Sequence, residues 1–210
     1  MGCPLVILGA GGHAKVVADI ALRAGFKLIG FLDDNTEQAP LPGYRVLGDM
    51  AWVQELLDEN QDLRLIIAVG DNFTRKELAK GLQNWNTRFA TVVHPSAVVS
   101  PYAAIGAGTV VMPLVTVNAG TQVGDHVILN TACSVDHDCV IGAFAHISPG
   151  VHLAGTVRVE EGAHLGVGVS VIPRKTIGAW SVVGAGGAVV EDIPPGVVAV
   201  GVPARVIRHI

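Results

Sequence analysis

Hydrophobic positions obey two different rules along the chain. Up to about residue 88, short apolar runs alternate with stretches of helical spacing. "PLVILG", from Pro4, is a continuous apolar run of the kind that forms a strand buried on both faces. "HAKVVADIALRAG", from His13, has apolar residues at helical spacing and closes on Gly25. "KLIGFLDD", "RLIIAVGDN" and "RFATVVH" predict three further strands, and "DMAWVQELLDEN" and "FTRKELAKGLQNW" two further helices. Strands alternating with helices predict a small, Rossmann-like parallel sheet.

From Val93 the period becomes six. Val93, Val99, Ile105, Val111 and every sixth residue onward to Val189 are aliphatic, 17 positions without a gap. The residue four further on is usually small or β-branched, as at Thr109, Cys133 and Ala145. Neither a helix nor a plain strand yields this spacing. It predicts a parallel β-helix of hexapeptide repeats, with both of these positions pointing inward. Corners should fall to Gly, Asn and Asp, which tolerate left-handed backbone. Three hexapeptides make one coil, so residues 18 apart stack about 4.8 Å from each other. The expected organisation is a βαβ domain over 1–88, a β-helix over 89–192 and a tail over 193–210.

Composition narrows the function classes. Half the residues are hydrophobic but only 5% are aromatic, so the core is built from Val, Ile, Leu and Ala. The net charge is −4 and there is no basic run, which argues against nucleic acid and anionic membranes as partners. No Asp, Glu, Lys or Arg falls between Phe89 and Gly124, yet Pro95, Pro101 and Pro113 break any membrane-length span. The N-terminus lacks the basic flank and cleavage site of a signal peptide. Three cysteines, Cys3, Cys133 and Cys139, fit neither a disulfide framework nor a metal site. A reduced, cytoplasmic protein is expected.

Candidate chemistry centres on "VDHDCVIG", where His137 lies between Asp136 and Asp138 at an outward position of its hexapeptide. Histidine, with an ordinary pKa near 6.5, is the usual general base. Either aspartate could hold its tautomer and stabilise the imidazolium, with Asp136 the better fit to a corner role. A solvated outward face is the plain alternative. His146 follows nine residues later, half a coil, so the two rings belong on opposite sides of one prism and share a site only between chains. Val167 and Ala185 are 18 apart and stack. In the first domain Gly9 to Ala14 fit G-x-G-x-x-A, with Asp33 and Asp34 further on. Such glycines let backbone N–H groups approach a phosphate at a helix start, in a dinucleotide or a nucleotide-sugar.

The six-residue run resembles the hexapeptide-repeat acyltransferases, which implies a left-handed β-helix. The whole chain resembles the bacterial nucleotide-amino-sugar N-acetyltransferases related to sialic acid O-acetyltransferases. "GAGGHAKVV", "FLDD", "AVGDN", "NTACSVDHDCVIG" and "GVPARVI" carry that likeness. It implies a homotrimer that binds acetyl-CoA between neighbouring prisms and needs no metal. It makes His137 the base and Asp138 its partner, sets His146 at the acetyl end of the cofactor, and lays Val167 and Ala185 along the CoA. Gly11, Gly12 and His13 would cradle a diphosphate, Asp33 and Asp34 would take base or ribose, and Gly70 would close the pocket. The implied reaction acetylates the amino group of a nucleotide-linked amino sugar, a 4-amino-4,6-dideoxyhexose, for glycan synthesis. Two other enzyme readings stay open. One is sugar O-acetylation; the other is a zinc lyase of the γ-carbonic anhydrase type, with His146, His164 and a neighbour's His137 as ligands. That lyase has no use for the first domain.

Overall fold

The computed structural model describes residues 2–36 and 39–210. Strands β1 (Pro4–Leu8), β2 (Lys27–Leu32), β3 (Val46–Gly48) and β4 (Arg64–Ile67) form a parallel sheet in the order β3-β2-β1-β4. Leu5 to Leu8 are wholly buried, as a two-sided strand requires. Helix α1 (Gly12–Arg23) buries Ala14, Val17, Ala18, Ile20 and Ala21, one face at helical spacing. Helices α2 (Val53–Glu59) and α3 (Asn72–Gly81) complete the domain. The Asp71 carboxylate caps α3 by accepting from the Thr74 N–H at 2.7 Å.

Two features differ from the sequence expectation. Strand β3 is three half-buried residues long, too short to show a period. "RFATVVH" does not complete the sheet. Phe89 makes one parallel bridge to Leu65, and Val92–Val93 then pair with Val110–Val111 as the first rung of the second domain.

That domain is a hexapeptide-repeat β-helix. Its 17 two-residue strands run from Val92–Val93 to Ala188–Val189, and each ends on one of the six-period aliphatic positions. Partners are 18 apart, for example Gln122↔Val140 and Ser134↔His152. The strands form three parallel faces. Six of them, beginning at Val92–Val93, make an eight-stranded face with two strands of the C-terminal segment; a six-stranded face begins at Val98–Val99 and a five-stranded face at Ala104–Ile105. Inward threonines are satisfied within the ladder. Thr121 Oγ1 donates to the Asp136 carbonyl at 2.6 Å and accepts from the Cys139 N–H at 3.1 Å. Cys133 and Cys139 are buried free thiols, and burial pushes both above the ordinary thiol value, Cys133 to about 12.

Left-handed backbone recurs three residues after an aliphatic position. Gly108, Gly120 and Gly150 occupy it as expected, but so do Leu114, Phe144, Arg174 and Trp180, with φ between 57° and 62°. The corner geometry is imposed by the coil, and the ladder offsets a cost of about 1–2 kcal/mol per residue.

Residues 193–210 are structured. Val197–Val200 are the seventh strand of the eight-stranded face, and Arg205–His209, antiparallel to them, are the eighth. The two domains also share one core. Val92, Val110 and Ile128 point out of the eight-stranded face yet are almost fully buried, in one cluster with Ala14, Val17 and Ala21 of α1. The switch of pattern near residue 88 marks a change of architecture, not an independent unit. No helix among the described residues is long and apolar enough to cross a membrane.

Candidate active site

His137 lies on the corner between the six-stranded face, through Ser134–Val135, and the five-stranded face, through Val140–Ile141. Its two aspartates have separate jobs. Asp136 Oδ1 accepts from the His137 N–H and from Asn118 Nδ2, both at 2.8 Å, and so organises the corner. Asp138 is the corner's left-handed residue, with φ 58°, and that turn brings its Oδ2 within 2.8 Å of His137 Nδ1. The bond to Asp138 and the charge of Asp136 raise the imidazole above its ordinary value. Nδ1 is thereby committed and Nε2 is left to act. The ring lies over Gly155, one coil on, where a Cβ would come within 2.5 Å of Nε2. Gly155 carries no motif in the sequence; its only trace there is its distance of 18 from His137.

His146 projects from the eight-stranded face, on the opposite side of the prism from that corner, as the half-coil offset requires. The Thr131 N–H donates to Asn130 Oδ1 at 2.8 Å, which orients the amide so that Nδ2 donates to His146 Nε2 at 3.1 Å. The His146 proton therefore resides on Nδ1, which is buried without a well-formed hydrogen bond. The His146 ring stacks on His164 with centroids 4.7 Å apart and planes 1° from parallel. Ser148 Oγ is 3.1 Å from His164 Nε2. A cavity of ≈ 500 Å³ opens here, lined by Gly70, Asp71, Phe73, His146, His164 and Trp180 among others. The structure thus unites Gly70 with His146 and leaves His137 on the far side of the same chain. Among the described residues, no group of three or more His, Cys, Asp or Glu could hold a metal ion.

These histidines are held neutral. Burial first, then the positive charge of Arg75, lowers His13 to about 4. Burial, then the neighbouring His164, then Arg75 lowers His146 to about 3. His126, which stacks on Phe144, falls to about 4, chiefly by burial. Because the folded values lie below the unfolded 6.5, the unfolded chain takes up these protons first as pH falls. Stability is full above pH 6.5 and should fall as pH drops below it, down to about 4 for His13 and His126 and to about 3 for His146. Chemical denaturation at a series of pH values checks this; a midpoint flat over that window contradicts the buried, neutral state.

At the start of α1 the Gly9 N–H donates to the Leu32 carbonyl at 2.7 Å. Both Asp33 oxygens are engaged, Oδ2 by the Ala10 N–H at 2.6 Å and Oδ1 by the Asn35 N–H at 2.9 Å. Asp33 therefore shapes the loop, and Asp34 stands exposed at its rim. Gly11 caps α1 without a side-chain bond, which leaves first-turn N–H groups pointing into a cavity of ≈ 340 Å³ lined by Ala10, Gly11, Gly12, Lys15 and Pro40 among others. A Cβ at Gly11 or Gly12 would meet nothing within 4 Å, so the protein's own packing does not demand glycine there. Lys15 was not singled out from the sequence, although its place in the first turn after the glycines is readable there. His13, next to this loop, faces the junction, with its Nε2 buried and unpartnered. Val167 and Ala185 are exposed and stacked on the corner between the eight- and six-stranded faces, where the Gly186 N–H donates to the Val167 carbonyl at 2.8 Å.

Residues 4–82 match the family model of the PglD N-terminal domain. Over 98% of this chain and 97% of the other, the fold is similar to PerB from Caulobacter crescentus, solved with CoA and GDP-perosamine, at 44% identity and a TM-score of 0.91. The acetyltransferase domain of PglB from Neisseria gonorrhoeae, solved with acetyl coenzyme A, is 38% identical with a TM-score of 0.90, covering 99% of this chain and all of that domain. Among curated proteins, the UDP-N-acetylbacillosamine N-acetyltransferase of Bacillus subtilis is 44% identical over 106 residues, 50% of this chain and 49% of that protein. The alignment thus spans about half the length of that curated relative. A likeness of this identity running nearly end to end over solved structures makes the chain a member of the nucleotide-amino-sugar N-acetyltransferase family.

Proposed function

We propose that this protein transfers the acetyl group of acetyl-CoA to the amino group of a nucleotide-linked 4-amino-4,6-dideoxyhexose, with a site built between two chains of a homotrimer. The observation that carries the reading is the His137–Asp138 pair, exposed on a corner with Nε2 free, opposite a neutral His146 on the other side of the prism. His137 Nε2 takes the proton lost as the amine nitrogen adds to the thioester carbonyl carbon. Asp138 stabilises the imidazolium that results, through Nδ1. As the C–S bond breaks, the same imidazolium returns the proton to the departing thiolate. His146 stands as a neutral imidazole at the acetyl end of the site, and Val167 and Ala185 offer backbone and apolar contact along the pantetheine arm. The open first turn of α1, with Lys15, takes the diphosphate.

The test is thiol release from acetyl-CoA with UDP-, dTDP- and GDP-linked amino sugars in parallel. Release with at least one 4-amino sugar, and none with its 4-hydroxy counterpart, is the expected result. Release with the hydroxy sugar instead would make it an O-acetyltransferase. Release with none would remove the acetyltransferase reading for this acceptor class.

The cradle at α1 has its own test. Gly12→Asp sets a carboxylate in the first turn of a helix, which favours the helix dipole and meets no atom within 4 Å. Melting should hold or rise, while affinity for the nucleotide-sugar should fall about tenfold or more through repulsion of its phosphates. Titration calorimetry against the nucleotide-sugar and against acetyl-CoA separates the two effects. Unaltered nucleotide-sugar binding would place the diphosphate elsewhere.

A further inference from the structure

Arg75 of α3 is 1% exposed, the largest fully buried side chain among the described residues, and no motif predicted it. Among the described residues, no carboxylate is hydrogen-bonded to its guanidinium. Nε donates to the His126 carbonyl at 2.8 Å. One terminal nitrogen donates to the carbonyls of Val69 at 2.9 Å and Gly70 at 3.2 Å. The other donates to Asn72 Oδ1 at 2.8 Å and the Phe144 carbonyl at 2.7 Å. The nearest acidic group on its own helix, Asp71, is occupied in capping α3. Lys76, one residue on, is paired with Glu161 of the prism at 2.6 Å.

The acceptors fall into two sets. Val69 and Gly70 belong to the loop that follows β4, whose Gly70 lines the His146 cavity. His126 and Phe144 are both left-handed corner residues of the prism, 18 apart and so on consecutive coils. One rigid fork therefore spans the junction and joins the loop to two rungs of the ladder. Asn72 reinforces it by donating to the Gly162 carbonyl at 3.1 Å, one coil further. A buried guanidinium hydrogen-bonded to neutral acceptors, with the Asp71 charge near it, is costly where apolar packing would serve, and the buried His126 and the half-buried His13, His146 and His164 feel its charge.

We propose that Arg75 is a positioning residue for the acceptor: by tying the Gly70 loop to the corners at His126 and Phe144, it fixes that loop against His146. The sugar pocket is then held in register with the prism that carries the acetyl donor. This rests on the acetyl-transfer reading above. His146 faces the acetyl end of the donor, but Val167 and Ala185, set along the CoA body, lie on a different corner from the one Arg75 ties, so donor affinity, carried mainly by that body, should change little.

The test compares Arg75→Met, which keeps bulk without the fork, with Arg75→Lys, which keeps charge without the planar geometry. In Arg75→Met, kcat/KM for the nucleotide-linked amino sugar should fall about 10–100-fold, the loss of a set of charge-assisted bonds. The KM for acetyl-CoA should stay within about threefold, and Arg75→Lys should fall between. Equal change in both substrates, or change in neither, overturns the proposal. If Arg75→Met does not fold, the same split in Arg75→Lys decides. A second arm needs no substrate: in the full-length variants the His146 imidazole, followed by NMR, should titrate at higher pH once the charge and the tethered loop are gone. An unchanged titration in Arg75→Met removes Arg75 from the pocket whatever the enzyme acts on. Absence of thiol release from the parent protein sinks the acetyl-transfer reading alone.

Discussion

Replacing His137 with alanine should lower kcat by roughly 10²–10⁴, the contribution of a positioned general base, while acetyl-CoA binding and melting change little. The structure supports the second half of that expectation. His137 is exposed, lies on a corner and contributes to no core, and the corner's own organiser is Asp136, which the substitution leaves in place. Asp138→Asn should cost less, because Nδ1 can still donate to the amide oxygen although the imidazolium loses its compensating charge. The pH profile separates the two roles. A base acts only when neutral, so activity in the parent should rise with pH through an imidazole value displaced above the ordinary one by Asp138 and Asp136. In Asp138→Asn that limb should move to lower pH, because the stabilised imidazolium is what placed it high. Near-normal turnover in folded His137→Ala would assign the proton to another group.

The parts that were legible share a reason. A hexapeptide ladder repeats one environment, so each rung requires the same residue types and the register at 18 follows from counting; that counting already separated His137 from His146. The βαβ half was legible where strands are buried on both faces, as at β1, and not at β3, which is short and half-buried. Phe89 to Val93 misled because an apolar run reads the same whether it completes one sheet or founds another. Arg75 was missed for a deeper reason. Of its five acceptors, four are backbone carbonyls, and a carbonyl is present at every residue. The corner residues showed the converse. Left-handed geometry at Phe144 and Trp180 is set by the coil, so residue preference could not disclose it.

The half-coil separation makes a prediction about subunits that does not depend on the sugar. One chain presents His137 on the corner between the six- and five-stranded faces and His146 on the face opposite. A site that uses both must draw them from neighbouring chains, and in the proposed cyclic trimer each interface would pair one chain's His137 with the next chain's His146. His137→Ala and His146→Ala homotrimers should each be severely impaired, the second because the neutral imidazole that Asn130 orients at the acetyl end is lost. In any mixed trimer of the two, going round the ring, one interface has both histidines intact, one has neither, and one has a single histidine. Verified mixed trimers should therefore recover about a third of the parent turnover, with random mixing giving about a quarter once pure trimers are counted. The measurement is thiol release from co-refolded protein whose subunit ratio is read by mass spectrometry. Recovery cannot come from a site within one chain, since no chain in the mixture carries both residues. If mixed trimers remain as inactive as their parents, the two histidines serve no common site, and His146 with its stacked partner His164 is left as part of the prism's packing against the Gly70 loop.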